Sequence, residues 1–244
     1  MKTQNTYGGN QVMALDTVSK ELVTFAHCSY TYYQVVIKAG EQYNIQNLQS
    51  YTVFLPDIYD NGEVIIVDTK DKLMPGDSAQ IEGHNITLLA DESDVRVLVS
   101  GVENQTGDSS TAITRAGEHY KVTKPWGHEL WLSGERSDYA FKEVFIKSGN
   151  RTSLQYHKFK EETNILFQGK ALLVYQAGET HQDLGETELS PISSIHVLPD
   201  TLHRLVALED TLLYETSTPH LDDVFRVEDD SEREDGRVLS EHGE

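Results

Sequence analysis

The sequence holds a single cysteine, Cys28, among 244 residues, which excludes an intramolecular disulfide and any cysteine-cluster metal site. A metal here has to be held by His, carboxylate or amide oxygen. The lone thiol reads as buried and inert. Basic residues are scarce: 20 Lys and Arg stand against 40 Asp and Glu, a formal charge of −20, so a nucleic-acid backbone or an anionic membrane is repelled. No stretch approaches the roughly 18 apolar residues of a membrane span. The opening Met1 to Asn10 has no apolar run of the signal-peptide kind. The expectation is a soluble, cytoplasmic protein with no membrane or nucleic-acid partner. Disorder throughout is excluded by what is present, a hydrophobic content of 38% with 12 Tyr and 7 Phe. The length allows one large domain or two of about 120 residues.

From Leu22 to Val102 short runs rich in Val, Ile, Leu and Tyr alternate with Gly, Pro, Asp and Asn clusters, as in Tyr33 to Ile37, Tyr51 to Leu55 and Val95 to Val99. Runs of about five residues between turn signals predict strands of a sandwich or barrel, hence an all-β fold. The pattern pauses over the polar residues 106–119, which read as a linker, and resumes from Val122 to Thr216. Val35 to Gln46 aligns on Val144 to Gln155 without a gap, matching Val, Ile, Lys, Gly and Gln. Two tandem β domains are therefore expected, 1–105 and 120–226. The remaining 227–244 carries eight carboxylates and reads as a solvated acidic tail.

Chemistry concentrates between Gly149 and Gly169. On a strand Gln155 and His157 share a face, continued by Ser153 and Arg151, while Lys160 and Glu162 share one of the other parity. A turn or bulge near Lys158 and Phe159 would turn both pairs to one interior. An amide oxygen, an imidazole and a carboxylate would then meet at one point, three of the four ligands of a Zn²⁺ or Mn²⁺/Fe²⁺-type site. His203, at the entry to an apolar run, offers the fourth, ahead of His196 and His181.

The segment Gly149 to Gly169 resembles the first cupin motif at every spacing, with Gln155 in place of the first histidine. This Gln-x-His variant, with Lys160 two residues before Glu162, is similar to mannose-6-phosphate isomerases. Lys124-Pro125-Trp126-Gly127-His128-Glu129 resembles the opening of the isomerase domain of the bifunctional mannose-1-phosphate guanylyltransferase family. Pro199 to Leu205 resembles its His-Arg-Leu region, one residue short and without the glycine. Leu221 to Asp230 resembles its acidic signature, and Gly236-Arg237 its closing pair. The resemblance covers about 120–237 and implies a bicupin, two tandem jelly-roll barrels of the double-stranded β-helix type. It implies Gln155, His157, Glu162 and His203 as ligands of one divalent metal, zinc foremost, with Mn, Fe or Ni as alternatives. In the first repeat Gln46, Leu48 and Val53 stand where Gln155, His157 and Glu162 do, with Thr87 facing His203, so that domain is expected to be a degenerate cupin without metal ligands.

The function implied is a metal-dependent sugar-phosphate isomerase that interconverts an aldose and a ketose phosphate through an enediolate. A non-catalytic sugar- or small-molecule-binding cupin and a cupin epimerase of sugar metabolism are the alternatives. Lys160, Glu161 and Arg204 are the candidate catalytic residues. Lys160 can serve a phosphate or an enolate oxygen, or merely pair with Glu161 or Glu162. Arg204 matches the family's His-Arg although alternation points it away. Arg151, Ser153 and Asn164 are candidates for substrate binding, Arg151 as a phosphate anchor or as an ordinary surface arginine. No nucleotidyltransferase domain and no Gly-rich phosphate loop is present, so guanylyltransferase activity is not expected. Exposed sheets make a homodimer the expected assembly.

Overall fold

The computed structural model describes residues 29–59, 61–103, 108–134, 136–176 and 183–242, together with the backbone of Gln4–Tyr7 and Asn10–Ala14. Cys28 and His181 lie outside the described residues. In chain order the strands of the first half are β1 (Gln4–Tyr7), β2 (Asn10–Ala14), β3 (Thr31–Ile37), β4 (Gln42–Ile45), β5 (Ser50–Phe54), β6 (Val64–Ile66), β7 (Asp71–Leu73), β8 (Ser78–Glu82), β9 (Ile86–Ala90), β10 (Val95–Val102) and β11 (Ser110–Thr114). The second half holds β12 (Tyr120–Lys124), β13 (Gly127–Trp131), β14 (Ala140–Ile146), β15 (Leu154–Tyr156), β16 (Glu162–Gln168), β17 (Ala171–Gln176), β18 (Leu184–Leu189), β19 (Ser193–Val197), β20 (His203–Ala207), β21 (Thr211–Ser217) and β22 (Phe225–Glu228). The one helical piece among the described residues is a 3₁₀ turn at Leu239–Glu241. Among those residues no helix is long and apolar enough to cross a membrane.

The chain forms two compact units, each with two antiparallel sheets. One unit comprises 17–120 with 132–141; the other comprises 1–16, 121–131 and 142–244. The first is built on the orders β8-β5-β10-β3 and β4-β9-β6-β7, and the second repeats them as β19-β16-β21-β14 and β15-β20-β17-β18. The same strand order met twice is a duplicated jelly roll, as the repeat of Val35 to Gln46 predicts.

Three segments depart from the sequence expectation. Residues 106–119 are not all linker, because β11 pairs with β8 over its whole length and so belongs to the first unit. Strands β1 and β2, expected in the first domain, pair with each other and, through β2, with β19 of the second unit. Residues 227–244 are not a free acidic tail, for Arg233 donates to Asp229 at 2.6 Å and Lys124 to Glu241 at 2.8 Å. Composition missed all three because strand pairing and ion pairs join segments far apart in the sequence.

The two interiors differ. Ile45, Leu48, Val53, Leu55, Ile66, Ile81, Ile86 and Val97 fill the first unit as a continuous apolar core. Leu48 and Val53, the counterparts of His157 and Glu162, are buried in it, whereas Gln46 is exposed. In the second unit Val144, Ile146, Leu166, Leu173, Ile195 and Leu213 make a smaller cluster that leaves room for a cavity.

The two motif glycines have different work. Gly149 takes φ +76° in a turn with open space around its α-carbon, while Gly169 takes φ +82° where a Cβ would collide with the Asp210 carbonyl. Gly149→Ala should cost about 1 kcal/mol, the ordinary penalty of the left-handed conformation. Gly169→Ala should cost at least about twice that, because backbone has to move as well. Urea unfolding of both variants checks the order, and equal costs would refute it.

Candidate metal centre

The second barrel brings β15, β16 and β20 together at a cavity of about 120 Å³. Gln155 on β15 stands directly opposite His203 on β20, and cross-strand partners point to one face. The chain bends at Lys158 and Phe159 before β16 begins. That bend corrects the parity, so Glu162 faces the same cavity as Gln155, His157 and His203.

One nitrogen of each histidine and one oxygen of Glu162 lie within 4.8 Å of one another. All three residues are buried. Nδ1 of His157 donates to the Asp223 carbonyl, and Nδ1 of His203 to the Thr201 carbonyl at 2.9 Å. A carbonyl oxygen can only accept, so both rings carry their proton on Nδ1 and present the Nε2 lone pair inward. Nε2 of His203 is 3.3 Å from Oε1 of Glu162. Nε2 of His157 is buried, 3.5 Å from Oε2 of Glu162, and without a hydrogen bond.

A buried, unpartnered imidazole nitrogen aimed at a carboxylate is the signature of a ligand set. Two imidazoles, a carboxylate and a nearby amide oxygen suit a divalent ion of the Zn, Mn or Fe kind. Gln155 lies at the cavity wall, where its Oε1 accepts from Ser153 Oγ at 2.6 Å. Its second lone pair is open to a cation or a ligand hydroxyl.

Lys160 is buried, and its ammonium donates to Glu162 Oε2 and, at 2.8 Å, to Glu215 Oε1. Burial lowers its pKa, but Glu162 and Glu215 prevail and hold it raised. Burial likewise pushes Glu162 up, and the Lys160 ammonium brings it well below the ordinary carboxylate range. Asn164 lines the cavity and donates to Glu162 Oε1 at 3.0 Å. Ser153 lines it too.

Three sequence candidates lie elsewhere. Glu161 turns to the opposite face and pairs with His196 Nε2 at 2.9 Å, as strict alternation beside Glu162 requires. Arg204 also points away, donating to the Thr152 carbonyl at 2.9 Å and pairing with Glu228 at 3.1 Å, so its match to a family motif does not carry it into the site. Arg151 is exposed and makes a two-pronged contact with Asp230 at 2.6 and 2.8 Å; the acidic segment claims it before any ligand.

The sequence reading missed a row of charges on the inward face. Glu162 on β16, Glu215 on β21, Lys142 on β14, Glu129 on β13 and Lys124 on β12 occupy neighbouring strands of one sheet. Lys142 Nζ is 3.7 Å from Glu215 and 3.6 Å from Glu129, and Lys124 is 3.9 Å from Glu129. The signal was present, because Lys142 shares parity with Val144 and Ile146, and Glu215 with Leu213. A charge at a core position of a strand seldom stays there unless paired.

Asp223 was also missed. Its carboxylate accepts the backbone N–H groups of Lys158, Phe159 and Lys160 at 3.1, 2.6 and 2.8 Å, while its carbonyl orients His157. Burial opposes ionisation of Asp223, but those three N–H groups hold its pKa below the ordinary value. A depressed carboxylate stabilises the fold above its unfolded pKa of about 4 and loses that contribution as pH falls through the folded value. Asp223→Asn should therefore flatten the acid limb of the stability curve. By loosening the 158–160 loop against the Asp223 backbone it should also disturb the carbonyl contact to His157 and weaken divalent-metal affinity by up to about tenfold. Acid titration of unfolding and calorimetric metal titration test the two effects, and wild-type metal affinity in the variant would refute the orienting role.

Comparison with known proteins agrees with this architecture. The family model described as mannose-6-phosphate isomerase C-terminal matches residues 111–229. Sequence comparison with curated proteins gives no match. Among solved structures, Bacillus subtilis oxalate decarboxylase, studied for its Mn(II) centres, superposes with a TM-score of 0.62 at 13% identity, over 93% of this chain and 77% of that one. A Lactobacillus farciminis oxalate decarboxylase in a formate complex gives 0.60 at 10% identity, over 93% and 86%. With identities that low the likeness speaks for the fold alone. Strand order, motif glycines and ligand cluster together show a two-barrel, cupin-type fold, its later barrel resembling the C-terminal domain of mannose-6-phosphate isomerases.

Proposed function

We propose that the second barrel is a metal-dependent isomerase that interconverts an aldose phosphate and a ketose phosphate. The observation that carries this reading is the Lys160 ammonium, held beside His157, Glu162 and His203 in a polar cavity. An apolar wall there would favour a simple binding protein.

His157, Glu162 and His203, with Gln155 beside them, would hold the ion. A divalent cation so bound would supply Lewis acidity toward the substrate's carbonyl and hydroxyl oxygens, while the proton moves between the two carbons that bear them. Zinc and manganese both suit the donors; the manganese of the B. subtilis enzyme favours testing both. Lys160, fixed as a cation, stabilises negative charge developing on a substrate oxygen, and its two carboxylate partners pre-organise it. It is not a base, since its pKa is raised.

Glu129 is the best-placed proton acceptor. It lines the cavity, and its nearest ammonium groups stand at 3.6 and 3.9 Å, too far for a strong hydrogen bond. Burial raises its pKa, but Lys142, Lys124 and Lys160 bring it below the ordinary value, so it is ionised and ready to accept a proton at neutral pH. The cavity lining also counts Lys124, Lys142, Lys160, Arg226, Arg233 and Arg237 against Glu129, Glu162 and Glu215. Asp229 and Glu241 offset part of that excess, yet six cations at the cavity of a chain of net charge −20 favour an anionic substrate.

The test is interconversion of mannose 6-phosphate and fructose 6-phosphate by zinc- or manganese-loaded protein, abolished by chelator. Lys160→Met should lower kcat by about 100-fold, and Glu129→Gln by about 100-fold or more with little change in KM. Absence of turnover on a panel of sugar phosphates by metal-loaded protein would overturn the reading.

A further inference from the structure

We propose that Lys124 and Arg233 form an anion-binding subsite of the cavity that the chain's own Glu241 fills, so that the C-terminal segment competes with an anionic ligand. The inference rests on the reading of this cavity as the ligand site and does not depend on turnover.

Glu241 Oε2 accepts from Lys124 Nζ at 2.8 Å, and Oε1 from Arg233 Nη1 at 3.4 Å. The three side chains keep 9, 10 and 12% of their surface for Lys124, Arg233 and Glu241 respectively. One carboxylate thus sits between two nearly buried cations that both line the cavity.

The cations are held independently of it. Lys124 projects from β12, and Arg233 is fixed by Asp229 at 2.6 Å. Glu241 is held differently. It arrives on a single 3₁₀ turn, Leu239–Glu241, that buries none of its residues and leaves Leu239 56% exposed. The backbone bonds of the turn are local, from Glu241 to Val238 and from His242 to Leu239. His242 adds an edge contact to Trp131 at 6.0 Å. Val238 and His242 also line the cavity and Arg237 lies over Trp131 at 5.9 Å, so the turn is tethered on both sides of Glu241, while the Glu241 carboxylate alone fills the space between the two cations.

A lysine and an arginine converging on one acid group is the donor set that recognises phosphate or carboxylate. The subsite stands at the far end of the charge row from the metal centre, with Glu129, Lys142 and Glu215 between. A ligand engaging the metal end by its oxygens and this end by its acid group would have to displace Glu241. The exchange puts one anion in place of another, so a carboxylate ligand leaves the local charge unchanged and a phosphate adds up to about one negative charge.

The experiment is calorimetric titration of inorganic phosphate into metal-free, full-length protein, compared with Glu241→Gln, a chain ending at Val238, and Lys124→Met. Both Glu241 changes should tighten phosphate binding by about tenfold, a usual size for coupling between two ligands, and Lys124→Met combined with Glu241→Gln should abolish the gain. If the lysine variant does not fold, Arg233→Gln in the same background serves in its place. Unchanged or weaker binding in both Glu241 variants overturns the competition. Tightening that survives removal of Lys124 or Arg233 places the phosphate elsewhere and overturns the subsite. Equilibrium binding of phosphate alone is independent of isomerase turnover, so failure of either reading is told apart from failure of the other.

Discussion

The ammonium of Lys160, wedged between the carboxylates of Glu162 and Glu215, is the contact on which the second barrel turns. A lone buried charge is costly by several kcal/mol, and so is each of its partners. Together they are tolerated, and the pattern extends across the sheet as Glu129, Lys142 and Lys124 alternate in sign over adjacent strands. Charged side chains cannot interdigitate as branched apolar ones do. A barrel whose inner face carries this row cannot close into a solid core, and the cavity follows from that.

The first barrel shows what the same strand order does without charges. Leu48 and Val53 stand where His157 and Glu162 stand in the repeat, and both are packed among Ile45, Ile81, Ile86 and Val97. One topology thus yields a filled barrel and a hollow one. The difference lies in a handful of inward positions, since alternation along each strand leaves outward residues free to vary.

Precision at the metal centre comes from backbone carbonyls. Each histidine gives its Nδ1 proton to a main-chain oxygen, Asp223 for His157 and Thr201 for His203, so ring orientation is set by the fold rather than by a flexible side chain. Asp223 reaches back with its carboxylate to three successive N–H groups of the loop that follows His157. The segment after β21 is therefore part of the site although it contributes no ligand.

Fold class, duplication and the cluster of His157, Glu162 and His203 were legible in the sequence, because strand periodicity is local and the motif spacing encodes which side chains share a face once a bend at Lys158 and Phe159 is allowed. For Arg204, Glu161 and Arg151 residue type and motif match suggested a part in the site, whereas strand alternation already turned Arg204 and Glu161 away and surface exposure was the ordinary reading of Arg151. Which partner each finds depends on segments far along the chain. Glu228, His196 and Asp230 respectively claimed them. The acidic end illustrates the same limit. Its composition predicts solvation, yet Glu241 finds Lys124 across 117 positions of sequence. Residue identity and local order by themselves determined the two barrels and the ligand types. Only the tertiary structure decided which charges meet inside the second one, because electrostatic pairing acts through space and has no period along the chain.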